Sequence, residues 1–391
     1  VFDYFGVIES LEGNYEKAVL EIEKSGLRGR GGAGFPFHLK VKASRDTEAS
    51  QKYIVCNADE GDPGAFSDKW LLEERPHSVL LGMLVTGLIT GADTGIIYLR
   101  GEYPLAVARM KEAIKQLEDE GIIGKIRGDS VYLFSFLVVI GSGAYICGEE
   151  TSLLNSIEGL RPEVRTRPPF PAVSGLFGRP TVVSNVETFA NLRFILDKGG
   201  EVYASMGTER SPGTKLVSLD SAFNRPGLYE VRMGTPLKYV FNEMGGGTRV
   251  PVRAYQVGGP LGGLVPASMT DKLTLDFESF SNAGFLLGHA GVVSIPEKFP
   301  VIEFLFHLFD FARKESCGKC FPCRLGTSKG CELLSLTMNS GKKIDRKLFL
   351  DLLETMELGS LCALGGGLPL PVKNAMWYFK DELEKYFSDN K

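Results

Sequence analysis

Ser25-Gly26-Leu27-Arg28-Gly29-Arg30-Gly31-Gly32-Ala33-Gly34-Phe35-Pro36 contains the spacing Gly-x-Gly-x-x-Gly at Gly29, Gly31 and Gly34. A dinucleotide fingerprint of that form follows a strand and opens a helix. Here the upstream stretch Tyr15 to Ser25 carries helical spacing, and Pro36 follows at once. The run is therefore not an ordinary Rossmann turn. Its physics still suits a ligand: glycines permit close backbone approach to a ring or phosphate, Arg28, Arg30 and Lys40 add positive charge, and Phe35 adds a stacking face. A purely structural glycine turn is the competing reading.

Downstream, strand-like runs at Tyr53-Ile54-Val55-Cys56, Gly95 to Leu99 and Val131 to Ile140 alternate with helical patterns, which is α/β texture. Two of these runs lead into segments of special backbone and polar groups: Asn57-Ala58-Asp59-Glu60-Gly61-Asp62-Pro63-Gly64 and Gly141 to Thr151. In an α/β fold they fall at the carboxyl ends of strands, where ligands collect. Their acids suit the hydroxyls and amide donors of a flavin or nucleotide. Equally, Glu149 and Glu150 suit the first turn of a helix over Thr151 to Ile157. From about 212 to 300 the texture becomes short strands with frequent turns. Beyond Pro300 apolar residues recur at helical spacing over Val301 to Lys314, Gly326 to Met338, Asp345 to Met356 and Pro371 to Phe387.

Four of the seven cysteines form one constellation: Cys317-x-x-Cys320-x-x-Cys323, with Cys362 following 362 − 323 = 39 positions later. Three thiolates at two-residue gaps suit three corners of a cubane [4Fe–4S] cluster, and a distant fourth closes it. Zinc sites present cysteines in pairs more often than as a triplet. Lys319 and Arg324 either offset the cluster's charge or form a solvated face. Cys331, Cys56 and Cys147 read as core thiols. The odd number and the clustering argue against a disulfide framework and for a reducing compartment.

The chain has 391 residues, 43% of them hydrophobic, with formal net charge −4. That length supports two or three domains. The charge offers no basic field for nucleic acid. The longest apolar stretch, Leu80 to Ala92, falls short of the roughly 20 residues that span a bilayer and reads as a buried helix. No basic start with an apolar run follows Val1, so the expected location is cytoplasmic, or peripheral on the cytoplasmic side of a membrane complex.

Ser25 to Pro36, Asn57-Ala58-Asp59-Glu60, Gly143 to Thr151, Pro168-Pro169-Phe170-Pro171, Asn185-Val186-Glu187-Thr188 and Glu315 to Arg324, in this order along essentially the whole chain, resemble the NADH-binding flavoprotein subunit of respiratory complex I. Relatives of that family serve NAD-linked hydrogenases, some electron-bifurcating, and NAD-dependent formate dehydrogenases. Asn57 to Phe66 and Gly359 to Gly366 look more like those branches. The resemblance implies an α/β domain for FMN and NADH over 1–205, a ubiquitin-like β-grasp domain of the soluble-ligand-binding type over 206–300, and a four-helix bundle with a [4Fe–4S] cluster over 301–391. It places Gly29, Gly31, Lys40, Asn57, Asp59, Glu60, Tyr145, Gly148, Glu149, Glu150, Val183, Ser184, Asn185 and Thr188 around FMN. Phe35, Glu150, Asp62, Arg167 and Phe170 would meet NAD(H), and Cys317, Cys320, Cys323 and Cys362 would hold iron, with Glu150 tuning the flavin.

The implied activity is hydride transfer between NADH and FMN, then single electrons to the cluster. The implied partners are a thioredoxin-like [2Fe–2S] subunit and a larger iron–sulfur or catalytic subunit. The chain departs from the family where an adenine-stacking aromatic is replaced by Ala43, which leaves Phe37 as a candidate, and where a paired asparagine is Ser184. Asp62 and Arg167 also replace a glutamate and a lysine, which leaves NADH against NADPH open. Two other readings follow: a relay or scaffold subunit that keeps only the cluster, and a zinc-stabilised nucleotide-binding regulator.

Overall fold

The computed structural model describes residues 4–11, 15–124 and 134–389. Its first sheet joins β1 (Tyr53–Ala58), β2 (Thr94–Arg100), β3 (Ser135–Gly141) and β4 (Thr181–Asn185) in the order β3-β2-β1-β4. Every pairing is parallel, with Val55 opposite both Ile96 and Val183. The strand expected over Val131 to Ile140 starts at Ser135, and 131–133 lie outside the described residues. All strands run the same way, so their carboxyl ends form one edge: Asn57 to Asp59, Arg100, Gly141 and Asn185.

The helix Pro76–Thr90 lies behind this sheet, buried at every residue from Val79 to Thr90, as an apolar run too short for a membrane demands. Gly82 is required there. A Cβ at that position would overlap the Phe189 carbonyl of the helix Val186–Lys198, so the bare backbone sets how closely the two helices pack.

A second sheet contains β5 (Thr214–Leu219), β6 (Gly227–Arg232), β7 (Val252–Val257), β8 (Leu264–Pro266) and β9 (Gly291–Pro296), ordered β6-β5-β9-β7-β8. Its central pair β5–β9 is parallel and its other pairs antiparallel. It has its own core around Phe223, Phe241, Phe280 and Phe285. Ion pairs tie it to the first sheet's domain: the half-buried Arg28 Nη1 lies 2.6 Å from Glu278, and Lys215 pairs with Glu187 out of reach of solvent.

After Pro300 come the helices Val301–Glu315, Phe321–Ser340, Arg346–Gly359 and Pro369–Tyr378 around a core of Leu305, Phe309, Leu334, Phe349 and Leu353. The second starts five residues earlier than the spacing from Gly326 suggests, because Pro322 suits a first helical turn. The last is broken at one residue before it reaches Phe387, with a short helix Lys380–Leu383 and a 3-10 turn Glu384–Tyr386 continuing beyond the break. Phe379 leaves helical dihedrals (φ −118°, ψ 32°) with Arg253 stacked 5.2 Å over its ring, and Phe387–Ser388 instead pairs with Ile344–Asp345.

Candidate functional site

The glycine run links the helices Tyr15–Ser25 and Phe37–Asp46, as expected of a turn that is not a Rossmann turn. It is stitched to the first turn of the helix Val186–Lys198. Arg30 N donates to Thr188 Oγ1 at 2.9 Å, and a Cβ on Gly31 would lie 3.0 Å from the Cβ of Asn185. Asn185 caps that helix by accepting from Glu187 N. A glycine backbone beside a capped helix N-terminus on the sheet's carboxyl edge is a place where an anionic group is stabilised. Across the edge, Asn57 Nδ2 donates to the Gly148 carbonyl at 2.8 Å, and Asp59 N donates to Asn57 Oδ1. Asp59 Oδ2 is buried with no hydrogen-bond partner. An orphaned acceptor here fits a ligand rich in hydroxyl or amide donors. Burial pushes the Asp59 carboxyl up to about 7, with Arg100 opposing and Glu102 and Glu315 adding to the rise.

Beside this lies a ladder of charge. Lys40 Nζ donates to Glu150 Oε2 at 2.9 Å and to the Val183 carbonyl at 3.0 Å, while Arg167 Nη1 reaches Glu150 Oε1 at 3.0 Å. Glu149 is turned to local use: its carboxylate accepts from the backbones of Thr151 and Ser152 and caps the helix Glu150–Ile157. Phe35 and Phe170 are exposed aromatic faces. Phe37 is not available to a nucleotide. It is buried in the core, edge-on to Phe189 at 5.9 Å, because its position on the helix Phe37–Asp46 points inward with Val41. Asp62 accepts from Tyr145 Oη at 2.8 Å and is packed against Gly259. Ser184 is buried on β4.

Glu60 faces inward too. Its carboxylate accepts from Asp68 N and Lys69 N, each at 2.9 Å, and so caps the helix Ser67–Glu74. His289, from the second sheet's side, lies 3.1 Å from Asp68 Oδ2 and 3.7 Å from Glu60. Burial alone would push the imidazole down, but Asp68 and Glu60 outweigh it and hold it up at about 9. Asp68 also accepts from Asn185 Nδ2 at 2.6 Å, so this network braces the ligand edge from behind. Sequence reasoning missed Asp68 and His289, since partners 221 positions apart leave no spacing signal. Arg100 and Glu102, at the end of β2, carried the same strand-end signal as Asn57 and could have been found by it.

The thiols meet where helices end. Cys317 follows the helix Val301–Glu315, Cys320 precedes and Cys323 opens the helix Phe321–Ser340, and Cys362 precedes the short helix Ala363–Gly367. Gly365 lets the last turn in: a Cβ there would be 2.7 Å from the Cβ of Cys323. Among the described residues Glu60, Asp68 and His289 form the group of metal-ligand atoms that close to within 4.8 Å of one another, and no three of these thiols do. Sulfurs around one tetrahedral zinc would sit at about 3.8 Å, given Zn–S bonds of about 2.3 Å. A triplet of thiols at two-residue gaps with a distant fourth is a donor set that fits a cluster of several irons. Burial pushes the Cys362 thiol up to about 12, partly opposed by the Leu364 and Gly365 amides, so a bound cation is what would favour its thiolate. Cys331 is buried in the helical core beside Arg313.

Residues 22–193 match the Nuo51 FMN-binding domain, and residues 303–386 match the NADH-ubiquinone oxidoreductase-F iron–sulfur binding region. A subunit of the NADP-reducing hydrogenase of Solidesulfovibrio fructosivorans, HndC, is 40% identical over 99% of this chain and 79% of its own. The chain belongs to the family of the NADH-ubiquinone oxidoreductase 51 kDa subunit. The mitochondrial member from Neurospora crassa is 36% identical over 98% of this chain and 79% of its own. A chain of NAD+-reducing [NiFe]-hydrogenase in the H2-reduced state superposes with a TM-score of 0.88 at 31% identity over 98% of this chain. This chain spans 65% of that hydrogenase chain's length. The two family matches fall on the elements already described: the FMN-binding range holds the glycine run, the first sheet and Thr188, and the iron–sulfur range holds the four clustered cysteines. No described helix is long and apolar enough to cross a membrane.

Proposed function

We propose that this chain is the electron-entry subunit of a multi-subunit oxidoreductase, oxidising NADH at FMN and passing single electrons to a [4Fe–4S] cluster on Cys317, Cys320, Cys323 and Cys362. One observation carries the reading. Tyr145 N donates to Glu315 Oε2 at 3.0 Å, and Glu315 stands two residues before Cys317. The segment that edges the flavin site is thus bonded to the segment that carries the thiols, as an obligatory hand-over between a two-electron and a one-electron carrier needs.

In this reading FMN supplies the hydride chemistry and the protein supplies alignment. Gly29, Gly31, Asn185 and Thr188 would border its phosphate end through close backbone approach and the helix N-terminus, the Gly29 amide itself being donated to the Phe35 carbonyl. Lys40, Asn57, Asp59, Tyr145, Gly148 and Val183 face the remainder, while Glu60, Glu149 and Ser184 shape the site from the second layer. Phe35 and Phe170 stack the nucleotide, Arg167 meets its phosphates, and Asp62 stays with Tyr145. Glu150, between two cations, sets the local charge.

The sheet order and parallel central pair over 206–300 support a β-grasp domain, and the helices over 301–391 a four-helix bundle; 1–205 is the FMN domain. A thioredoxin-like [2Fe–2S] subunit and a larger iron–sulfur or catalytic subunit are the partners this role requires, in the cytoplasm.

The test is an anaerobic absorbance titration of the purified protein with NADH and then NADPH, with iron and flavin assayed. Bleached flavin bands and about four irons per chain are expected. Iron without flavin, after reconstitution with FMN as well, would leave the relay reading.

A further inference from the structure

A cavity of about 180 Å³ opens at the carboxyl edge of the first sheet, lined among others by Asp59, Arg100, Glu102, Tyr145, Phe311 and Glu315. Its two ends differ. Glu102 is exposed and marks the mouth, whereas Asp59 is buried at the base with Oδ2 unpartnered. The walls are polar along the way: Arg100 Nη2 donates to Glu102 Oε1 at 2.7 Å, and its Nη1 donates to the Glu60 carbonyl. At about 30 Å³ per water, this volume has room for a short file of waters with polar partners. Resting on the electron-entry reading above, we propose that Asp59 is the proton acceptor and donor of the flavin site, and that this cavity, opening past Glu102, connects it to bulk water.

The chemistry requires such a group. NADH loses one hydride and becomes NAD+; when the two electrons of that hydride leave singly for the cluster, one proton is left behind. It must go to a base or build charge in a site closed to solvent. Asp59, protonated from the cavity while the site holds the extra charge, returns that proton to water as the electrons leave, and as the carboxylate it then takes the proton left behind and passes it out the same way. In the reverse direction each step runs backwards, so atoms and electrons balance with NADH, the cluster and water alone.

Two features fit a group that changes protonation in turnover. Asp59 lines the cavity with a free buried oxygen, while Glu149 and Glu60 spend oxygens on helix ends and Asp68, whose Oδ1 is also unpartnered, does not line the cavity. Its environment also holds it near the operating pH: burial raises it, Arg100 opposes, and Glu102 and Glu315 reinforce. Tyr98 and Cys147 face it as well, both pushed up by burial and so neutral at pH 7. Arg100 is therefore the cation that limits the rise.

The experiment is a spectroelectrochemical titration of flavin in the holoprotein from pH 5.5 to 8.5, with an infrared difference spectrum of reduction. Adding charge to the flavin lifts the Asp59 carboxyl further, so above about pH 7 one additional proton is taken up per two electrons. That is a tenfold change in equilibrium per pH unit, about 30 mV for a two-electron couple. Asp59→Asn is expected to remove the extra slope and the carboxyl band, and Asp59→Glu to restore both. Equal slopes in the parent and Asp59→Asn would overturn the proposal. If Asp59→Asn holds no flavin, the parent decides: a reduction spectrum without a carboxyl signal overturns it. A parent protein that binds no flavin at all refutes the electron-entry reading instead.

Discussion

Glu150 stands between Lys40 and Arg167, so its charge is half of a balance rather than a free carboxylate. Removing it by Glu150→Gln leaves Lys40 with only the Val183 carbonyl and Arg167 with the more distant Glu149 carboxylate, 3.7 Å away, and so makes the proposed flavin site more positive. Reduced flavin gains negative charge, so its potential is expected to rise and NADH-driven reduction to go further toward completion; an unchanged potential would remove Glu150 from any tuning role. His289 gives a pH prediction of a different kind. Its pKa is raised in the folded chain, from the usual 6.5 to about 9, so the stabilisation is complete below pH 6.5 and is lost as pH rises to 9. Denaturant midpoints are expected to fall over that window by the equivalent of up to about 3 kcal/mol. His289→Gln should flatten that part of the profile. A profile that stays flat in the parent would show that Asp68 and Glu60 do not hold the proton.

At the scale of elements, two glycines mark where backbones meet, and their consequences separate. Gly82→Ala would force the helix Pro76–Thr90 off the Phe189 carbonyl, with a cost of about 1–3 kcal/mol or more typical of overpacking, read as a lower melting temperature. Gly365→Ala acts elsewhere. Its Cβ would press on Cys323 and the Ser360 side chain, lifting the turn that carries Cys362, so iron content should fall while flavin content stays. Loss of both cofactors together would mean that the two sites are not independent. The sequence announced most elements through period and composition: the helix Tyr15–Ser25 and the buried helix after Pro76 appear where expected. It missed the break at Phe379 in the final helical stretch, where the ring lies under Arg253, a partner over a hundred positions away that no local pattern announces.

For the whole molecule, the legible part of the site is the part written in contiguous motifs: the glycine run, the strand-end acids and the cysteine triplet. What stayed hidden is which acids are spent on helix ends and which are left at the strand edge. Glu60 and Glu149 look like Asp59 and Glu150 in sequence, yet the first pair cap helices and the second pair line the edge, a distinction made by how each helix start meets its strand. The same assembly bonds the flavin edge to the cysteine segment through Tyr145 and Glu315, and through Arg161 Nη2, which donates to the Cys317 carbonyl at 3.1 Å. Cys362→Ala therefore tests the chain as one device. Its flavin should still bind and still bleach on NADH addition, since the edge of the first sheet keeps all its contacts. The low-temperature electron paramagnetic resonance signal of a reduced cubane should vanish, and reoxidation through a one-electron protein acceptor should slow by at least tenfold. If that signal survives with full iron content, Cys362 is not the closing ligand, and the cluster must take its fourth ligand from another residue.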